Sequence, residues 1–190
     1  MTIEDATLVV ARAFERLKVP YYVTGSIASS LHGEPRATND ADLVAELHLH
    51  HGDALARELA GRFFVDLEEV AYAVTNERSF NLIDEVELAK IDVFCVRRLG
   101  YQAAALARAV RRDLQPDDPF SEATIASAED SLLSKLRWYR LGNEVSDRQW
   151  RDVLGLIAAQ RAVLDHAYLS QWARELGVDD LLARALAAER

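Results

Sequence analysis

Three aspartates stand where a carboxylate needs a chemical reason. Asp40 and Asp42, in Asp40-Ala41-Asp42-Leu43, sit two residues apart at the start of a β-prone run. Side chains of a strand alternate faces, so both carboxylates point the same way. Two such charges about 4 to 6 Å apart repel by a few kcal/mol at an effective dielectric near 20. A divalent cation between them removes that penalty. The third acid is Asp92, in Lys90-Ile91-Asp92-Val93-Phe94. It lies inside a second expected strand, where aspartate is depleted and seldom buried without a partner. A structural pairing with Lys90 is the plain alternative to the metal role that the companion acids on the same face favour. The same alternation puts Lys90, Asp92 and Phe94 on one face, with Ile91, Val93 and Cys95 on the other. Three oxygen donors with open positions suit Mg²⁺, which keeps water and takes its remaining ligands from substrate phosphates.

Upstream, Gly25-Ser26 falls at a strand-to-helix turn. Backbone N–H groups at a helix start, with a small hydroxyl beside them, form a cradle for an anion. Residues 27–39 separate Ser26 from Asp40. In that loop Arg36 is placed to meet a phosphate and Thr38 to orient Asp40; an exposed loop arginine is the plain alternative for Arg36.

Taken in order, Gly25-Ser26, Asp40-Ala41-Asp42-Leu43 and Ile91-Asp92-Val93 resemble the signature of the DNA polymerase β-like nucleotidyltransferase superfamily. The resemblance implies a small mixed sheet flanked by helices with a helical bundle behind it, an α+β fold. It implies two Mg²⁺ ions bound with a nucleoside triphosphate by Asp40, Asp42 and Asp92, with Asp92 also activating an acceptor hydroxyl. Gly25 and Ser26 would then hold the triphosphate. Further on, the segment from Lys135 to Arg140, Gly142, and the segment from Ser146 to Val153 resemble the C-terminal half of bacterial nucleotidyltransferase-fold proteins similar to the AbiEii abortive-infection toxins. There a helical lysine and a later aspartate complete the site, roles that fall on Lys135 and Asp152. The implied activity is Mg²⁺-dependent transfer of an NMP group from an NTP to a hydroxyl on RNA, protein or a small molecule, in toxin–antitoxin or phage-defence company with a cognate antitoxin. The alternative is a catalytically silent nucleotide-binding or antitoxin-partner module. A metal-dependent nuclease fits less well, because no nuclease lysine–acid motif accompanies the acids.

Other residues have simpler readings. Asp84 competes as third acid but lies near an expected hairpin turn, where a solvated carboxylate is ordinary. Asp66 reads as a helix cap. His48, His50 and His51 have the look of metal ligands, yet no second His or Cys group accompanies them. Lys135 shares a helical face with Leu132 and Tyr139, and its alternative is a lysine snorkelling at the bundle edge. Trp138, Tyr139 and Trp150 recur at helical spacing, which marks core more often than a base-stacking surface. Cys95 reads as a small buried hydrophobe.

The elements that must position these groups follow from caps and periodicity. Thr2-x-x-Asp5 opens a helix that Pro20 stops. Tyr21 to Thr24 is a strand, and Gly25 to Leu31 a brief helix. Asp40 to Leu47 is a strand, His50 to Gly61 a helix, and Phe63 to Val65 a strand. Asp66 caps a helix to about Asn76. Ser79 to Val86 and Leu88 to Val96 form a hairpin about Glu87. The remainder reads as almost wholly helical: Gln102 to Arg112, a Pro116-Asp117-Asp118-Pro119 breaker, then helices capped by Ser127, Ser146, Asp165 and Asp179. The expected organisation is an α+β domain over 1–100 and a helical domain over 101–190.

Composition bounds the reading. The chain has 190 residues, 31 acids against 22 Lys and Arg, a formal charge of −9 and a pI near 5.0. This excludes charge-driven binding of nucleic acid over the whole surface. The excess lies in residues 1–100, with 17 acids against 10 cations. Between Lys135 and Arg151 five cations face two acids, a path for a phosphate-rich partner. Only Lys18, Lys90 and Lys135 are lysine, and the last two fall beside the proposed chemistry. A lone cysteine and an acidic N-terminus without an apolar run predict a cytoplasmic protein with no membrane span.

Overall fold

The computed structural model describes residues 2–85, 89–115, 118 and 120–188. The first helix, α1 (Ile3–Arg16), opens on the expected capping box: the Thr2 hydroxyl accepts the Asp5 N–H, and the Asp5 carboxylate accepts the Thr2 N–H. There follow β1 (Tyr21–Thr24), α2 (Gly25–His32), β2 (Asp40–Ala45), a 3₁₀ turn (Leu49–His51), α3 (Gly52–Leu59), β3 (Phe63–Phe64), α4 (Leu67–Asn76), β4 (Ser79–Asp84) and β5 (Lys90–Cys95). The second half adds α5 (Gly100–Arg108), β6 (Val110–Asp113), β7 (Glu122–Ile125), α6 (Ala128–Leu141), α7 (Asp147–Gln160), α8 (His166–Glu175) and α9 (Asp179–Ala188).

One mixed sheet runs β3-β4-β5-β2-β1-β7-β6. Within it β2 lies parallel to β5 and antiparallel to β1, while β1 lies parallel to β7. Alternation does the expected work. Ala41, Leu43 and Ala45 of β2, with Ile91, Val93 and Cys95 of β5, are buried in one core with Phe14, Leu55 and Phe80. That leaves Asp40, Asp42, Lys90, Asp92 and Phe94 on the opposite face. A second core, built on Leu132, Leu136, Leu156 and Leu169, holds α6 to α9 together.

The two cores are bolted through α2. A Cβ at Gly33 would sit 3.2 Å from the Leu156 amide nitrogen of α7, so a side chain there would force the two apart. The His32 ring lies 2.8 Å from the Ala126 carbonyl through Nε2, and Gln160 Nε2 donates to the His32 carbonyl at 2.7 Å. A second bolt is the buried carboxylate of Asp130 in α6. It accepts the Ser127 hydroxyl and the Tyr168 hydroxyl of α8, each at 2.7 Å. Arg108 of α5 lies over the Tyr168 ring and pairs with Glu129.

Several expectations need correction. The helix expected over Gln102 to Arg112 runs instead from Gly100 to Arg108, and β6 follows at once. With β7, it brings two strands from the supposedly helical half into the sheet. Val110-Arg111-Arg112-Asp113 is polar at three of four positions because it is an edge strand; Arg111 bridges Glu15 and Glu122. The β2 strand ends at Ala45 rather than Leu47, and β3 at Phe64 rather than Val65. The three histidines form the 3₁₀ entry to α3. Asp84 is fully buried against Arg62 at 2.7 Å, not solvated. The expected turn about Glu87, with Val86 and Leu88, lies outside the described residues, as do Pro116, Asp117 and Pro119 of the breaker. Among the described residues no helix is long and apolar enough to cross a membrane.

Because Tyr168 supplies one of the hydrogen bonds that satisfy a buried charge, Tyr168→Phe is expected to lower stability by about 1–2 kcal/mol. A urea titration followed by circular dichroism measures it.

Candidate active site

The site begins with a backbone collision that glycine avoids. Thr24 ends β1 directly opposite Asp42 of β2. The next residue, Gly25, takes φ +63 to turn the chain into α2, and a Cβ on it would lie 1.9 Å from Asp42 Oδ2. Only a residue without a side chain both adopts this conformation cheaply and leaves room for the carboxylate.

Parallel pairing then sets the acids side by side. In the β2–β5 register Asp42 faces Asp92, and Asp40 faces Lys90. Thr38 Oγ1 donates to Asp40 Oδ1 at 2.9 Å, the orienting contact expected of it. Lys90 Nζ lies 2.8 Å from Asp92 Oδ1 and 3.0 Å from Oδ2. That hydrogen bond, first among its influences, raises the lysine's pKa. Burial raises the Asp42 carboxyl to about 6, helped by the Asp92 and Asp40 charges and opposed by Lys135 and Lys90.

Across from the strands, a second cluster gathers cations. Lys135, 7% exposed, pairs with Asp152 Oδ2 of α7 at 2.8 Å. The other oxygen of Asp152 lies 3.5 Å from Arg36 Nε. Arg36 in turn donates through Nη2 to the Ser26 hydroxyl. Lys135 therefore belongs to both clusters, since its charge also acts on Asp42. It is no bundle-edge lysine. All ten residues singled out from the sequence, Gly25, Ser26, Arg36, Thr38, Asp40, Asp42, Lys90, Asp92, Lys135 and Asp152, fall in these two linked clusters.

The donor set fits a hard divalent cation: oxygen only, with two in-register carboxylates and a third one pleat along. Among the described residues, however, no group of three His, Cys, Asp or Glu side chains, Asp40, Asp42 and Asp92 included, stands arranged to hold a metal ion. Asp92 is instead held by Lys90, which an arriving ion would have to displace from one carboxylate oxygen. The histidine trio makes no such group either; His51 Nδ1 accepts the His48 N–H at 3.0 Å. Cys95 is buried, and burial pushes its thiol up to about 12.

Two clefts open beside the clusters. One, of about 430 Å³, runs from Gly25 and Asp42 along the sheet face to Phe94, under Leu133, Arg137 and Trp138 of α6. The other, of about 270 Å³, is lined by Ser29, Arg36, Arg148, Arg151 and Asp152. Sequence reasoning missed the first cleft. Its signals were Phe94, two residues beyond Asp92 on the same face, and Trp138, read as core but 47% exposed at the cleft. For the second, Arg148, Arg151 and Asp152 at i, i+3 and i+4 share one flank of α7.

No protein-family model matches the chain, and no curated protein matches it in sequence. Solved structures do match it. An antigenic nucleotidyltransferase-like protein from Paracoccidioides brasiliensis superposes with a TM-score of 0.56 at 20% identity, over 98% of this chain and 93% of its own. The fold is nucleotidyltransferase-like. The antibiotic-resistance factor ANT(2'')-Ia superposes with a TM-score of 0.52 at 14% identity, over 97% and 92%. The lincosamide antibiotic adenylyltransferase LnuA, solved with lincomycin, covers 75% of this chain and 89% of its own at 15% identity and a TM-score of 0.43.

Two outcomes are expected. A carboxyl whose folded pKa is raised costs stability wherever it is ionised. Asp42→Asn should therefore stabilise the metal-free protein by about 2 kcal/mol at pH 7.5. The gain should shrink as pH falls through about 6 and vanish only well below the unfolded value of 3.8, where the carboxyl is protonated both folded and unfolded. Chemical unfolding in EDTA across that range tests it. Gly25→Ala should cost about 2 kcal/mol or more, from the left-handed backbone and the clash with Asp42; thermal unfolding beside the parent protein tests it.

Proposed function

We propose that the protein is a Mg²⁺-dependent nucleotidyltransferase that moves an NMP group from an NTP to an acceptor hydroxyl. The observation that carries this reading is the in-register Asp42–Asp92 pair abutting a glycine turn, with Ser26, Arg36 and Lys135 gathered at the same edge. The nucleotidyltransferase-like fold supports it.

Asp40, Asp42 and Asp92 would hold the metal, two ions when the NTP is present. When bound, Mg²⁺ lowers the pKa of an acceptor hydroxyl and neutralises the leaving pyrophosphate. The chain's own residues do the positioning on which phosphoryl chemistry depends. The Gly25 and Ser26 amides and the Ser26 hydroxyl cradle the phosphates, and Arg36 and Lys135 supply cations. Lys90 orients Asp92, whose carboxylate accepts the hydroxyl proton. The acceptor oxygen forms a bond to the α-phosphorus as the bond from that phosphorus to the bridging oxygen breaks. The electron pair leaves with pyrophosphate.

The likeness of the Lys135 and Asp152 segments to AbiEii-type toxins supports a place in toxin–antitoxin or phage-defence systems, with a cognate antitoxin as partner. The Lys90–Asp92 ion pair, a ready-made substitute for a metal contact, is the one observation favouring a catalytically silent nucleotide-binding module.

Incubation with each α-labelled NTP, Mg²⁺ and cell extract tests the reading. Label should pass to an acceptor. Asp42→Asn and Asp92→Asn should each lower the rate at least a thousandfold while the protein stays folded, and Lys135→Met should weaken NTP binding at least tenfold. Nucleotide binding without any label transfer would select the silent module, and transfer that survives Asp42→Asn would overturn the metal site.

A further inference from the structure

We infer that the cleft between the sheet and α6 is the acceptor site, and that its acceptor is a small molecule with a hydroxyl group, a flat apolar body and a carboxylate. The inference rests on the nucleotidyl-transfer reading for the direction of attack, but the ligand class is argued from the cleft itself.

The side of attack follows from in-line displacement, in which the incoming oxygen and the leaving pyrophosphate lie on opposite sides of the α-phosphorus. Cations for the leaving side lie on one flank of α6: Lys135, and beyond it Arg36, Arg148 and Arg151 around the smaller cleft. Leu133, Ser134, Arg137, Trp138 and Leu141 line the larger cleft from the other flank of the same helix. Asp42 lies at its end. A hydroxyl entering from the larger cleft is thus opposite the phosphate cations.

Size and lining then narrow the acceptor. A cleft of about 430 Å³ is in the range that holds a small ligand rather than a folded macromolecular surface. Part of its wall is apolar: the Phe94 and Trp138 rings pack on each other with centroids 5.9 Å apart and a 60° tilt, and Val44 and Leu133 lie beside them. Trp138 is 47% exposed, a large ring left uncovered at the rim. Such rings gain most by stacking on another flat group.

Charge supplies the last constraint. Besides Asp42 the cleft holds one acid, Glu77, which is paired with Arg97 at 3.1 Å. It also holds two arginines, Arg78 and Arg137, that make no ion pair among the described residues. The Arg137 charge reaches the Tyr22 hydroxyl on the cleft floor, where it opposes the upward pull of burial. A planar guanidinium with free N–H groups matches a carboxylate, whereas an amine would meet two like charges.

Three phenols of similar size separate these features: 3-(4-hydroxyphenyl)propanoate, 4-ethylphenol and tyramine. Their affinities for the full chain are read by ligand-observed NMR, with Mg²⁺–ATP binding measured by calorimetry on the same samples. The carboxylate should bind at least tenfold more tightly than tyramine. Arg137→Gln should cut that preference at least fivefold and leave 4-ethylphenol unchanged, while Trp138→Ala should weaken all three. Arg137 and Trp138 are both exposed enough for the variants to fold, which a thermal melt checks. Tyramine binding as tightly as the carboxylate, or affinities indifferent to both substitutions, would overturn the inference. So would displacement of the carboxylate by Mg²⁺–ATP, which would make the cleft a nucleoside site. If the carboxylate binds as expected and Mg²⁺–ATP does not bind at all, the nucleotidyl-transfer reading fails and the ligand class stands.

Discussion

Parallel pairing of β2 with β5 forces two carboxylates to stand side by side, and much of the structure answers that one repulsion. Each strand keeps a continuous apolar face toward α1, α3 and α4, so Asp42 and Asp92 have only the opposite face to occupy. Once there, they need nearby positive charge. Lys90 answers on the same strand as Asp92, and Lys135 from α6 above. The Gly25 turn is part of the same arrangement, because a side chain on it would drive the Asp42 carboxylate out of the row. The fold secures these positions by burial and backbone pairing rather than by loops, which is how a charge arrangement unfavourable in itself persists.

The helical half completes the site rather than merely covering it. Helix α6 delivers Lys135 to Asp152 from one flank and Arg137 and Trp138 to the larger cleft from the other. Its position is fixed from three directions: by α2 through shared contacts, by Asp130 and its hydroxyl partners, and by the leucine core of α6 to α9.

What the sequence disclosed divides along physical lines. Strand acids, a glycine at a strand-to-helix turn and helix caps are local signals, and Asp40, Asp42, Asp92, Gly25, Ser127 and Asp165 all stand in the elements their neighbours implied. The Lys135–Asp152 pair came from resemblance, since residues 17 apart carry no spacing rule. The edge strand β6 was invisible because an edge exposed to water needs no apolar alternation. Asp84 was misread because its partner Arg62 lies 22 residues away, and ion-pair choice is a tertiary matter. The larger cleft was hidden for a similar reason: helical periodicity shows that Trp138 and Arg137 lie close on α6 but not what they overlook.

Asp152 gives the cation cluster a further property. One of its oxygens holds Lys135 and the other lies near Arg36, which itself holds Ser26. The cations are thus never bare: a resident carboxylate already stands among them. For any anion arriving there, binding is an exchange against Asp152, not an addition to an empty field. A singly charged anion offers little that the carboxylate does not already provide. A chain of phosphates, able to reach Ser26, Arg36 and Lys135 at once, offers more than one carboxylate can. On the proposed function, the cluster would discriminate by valence and length.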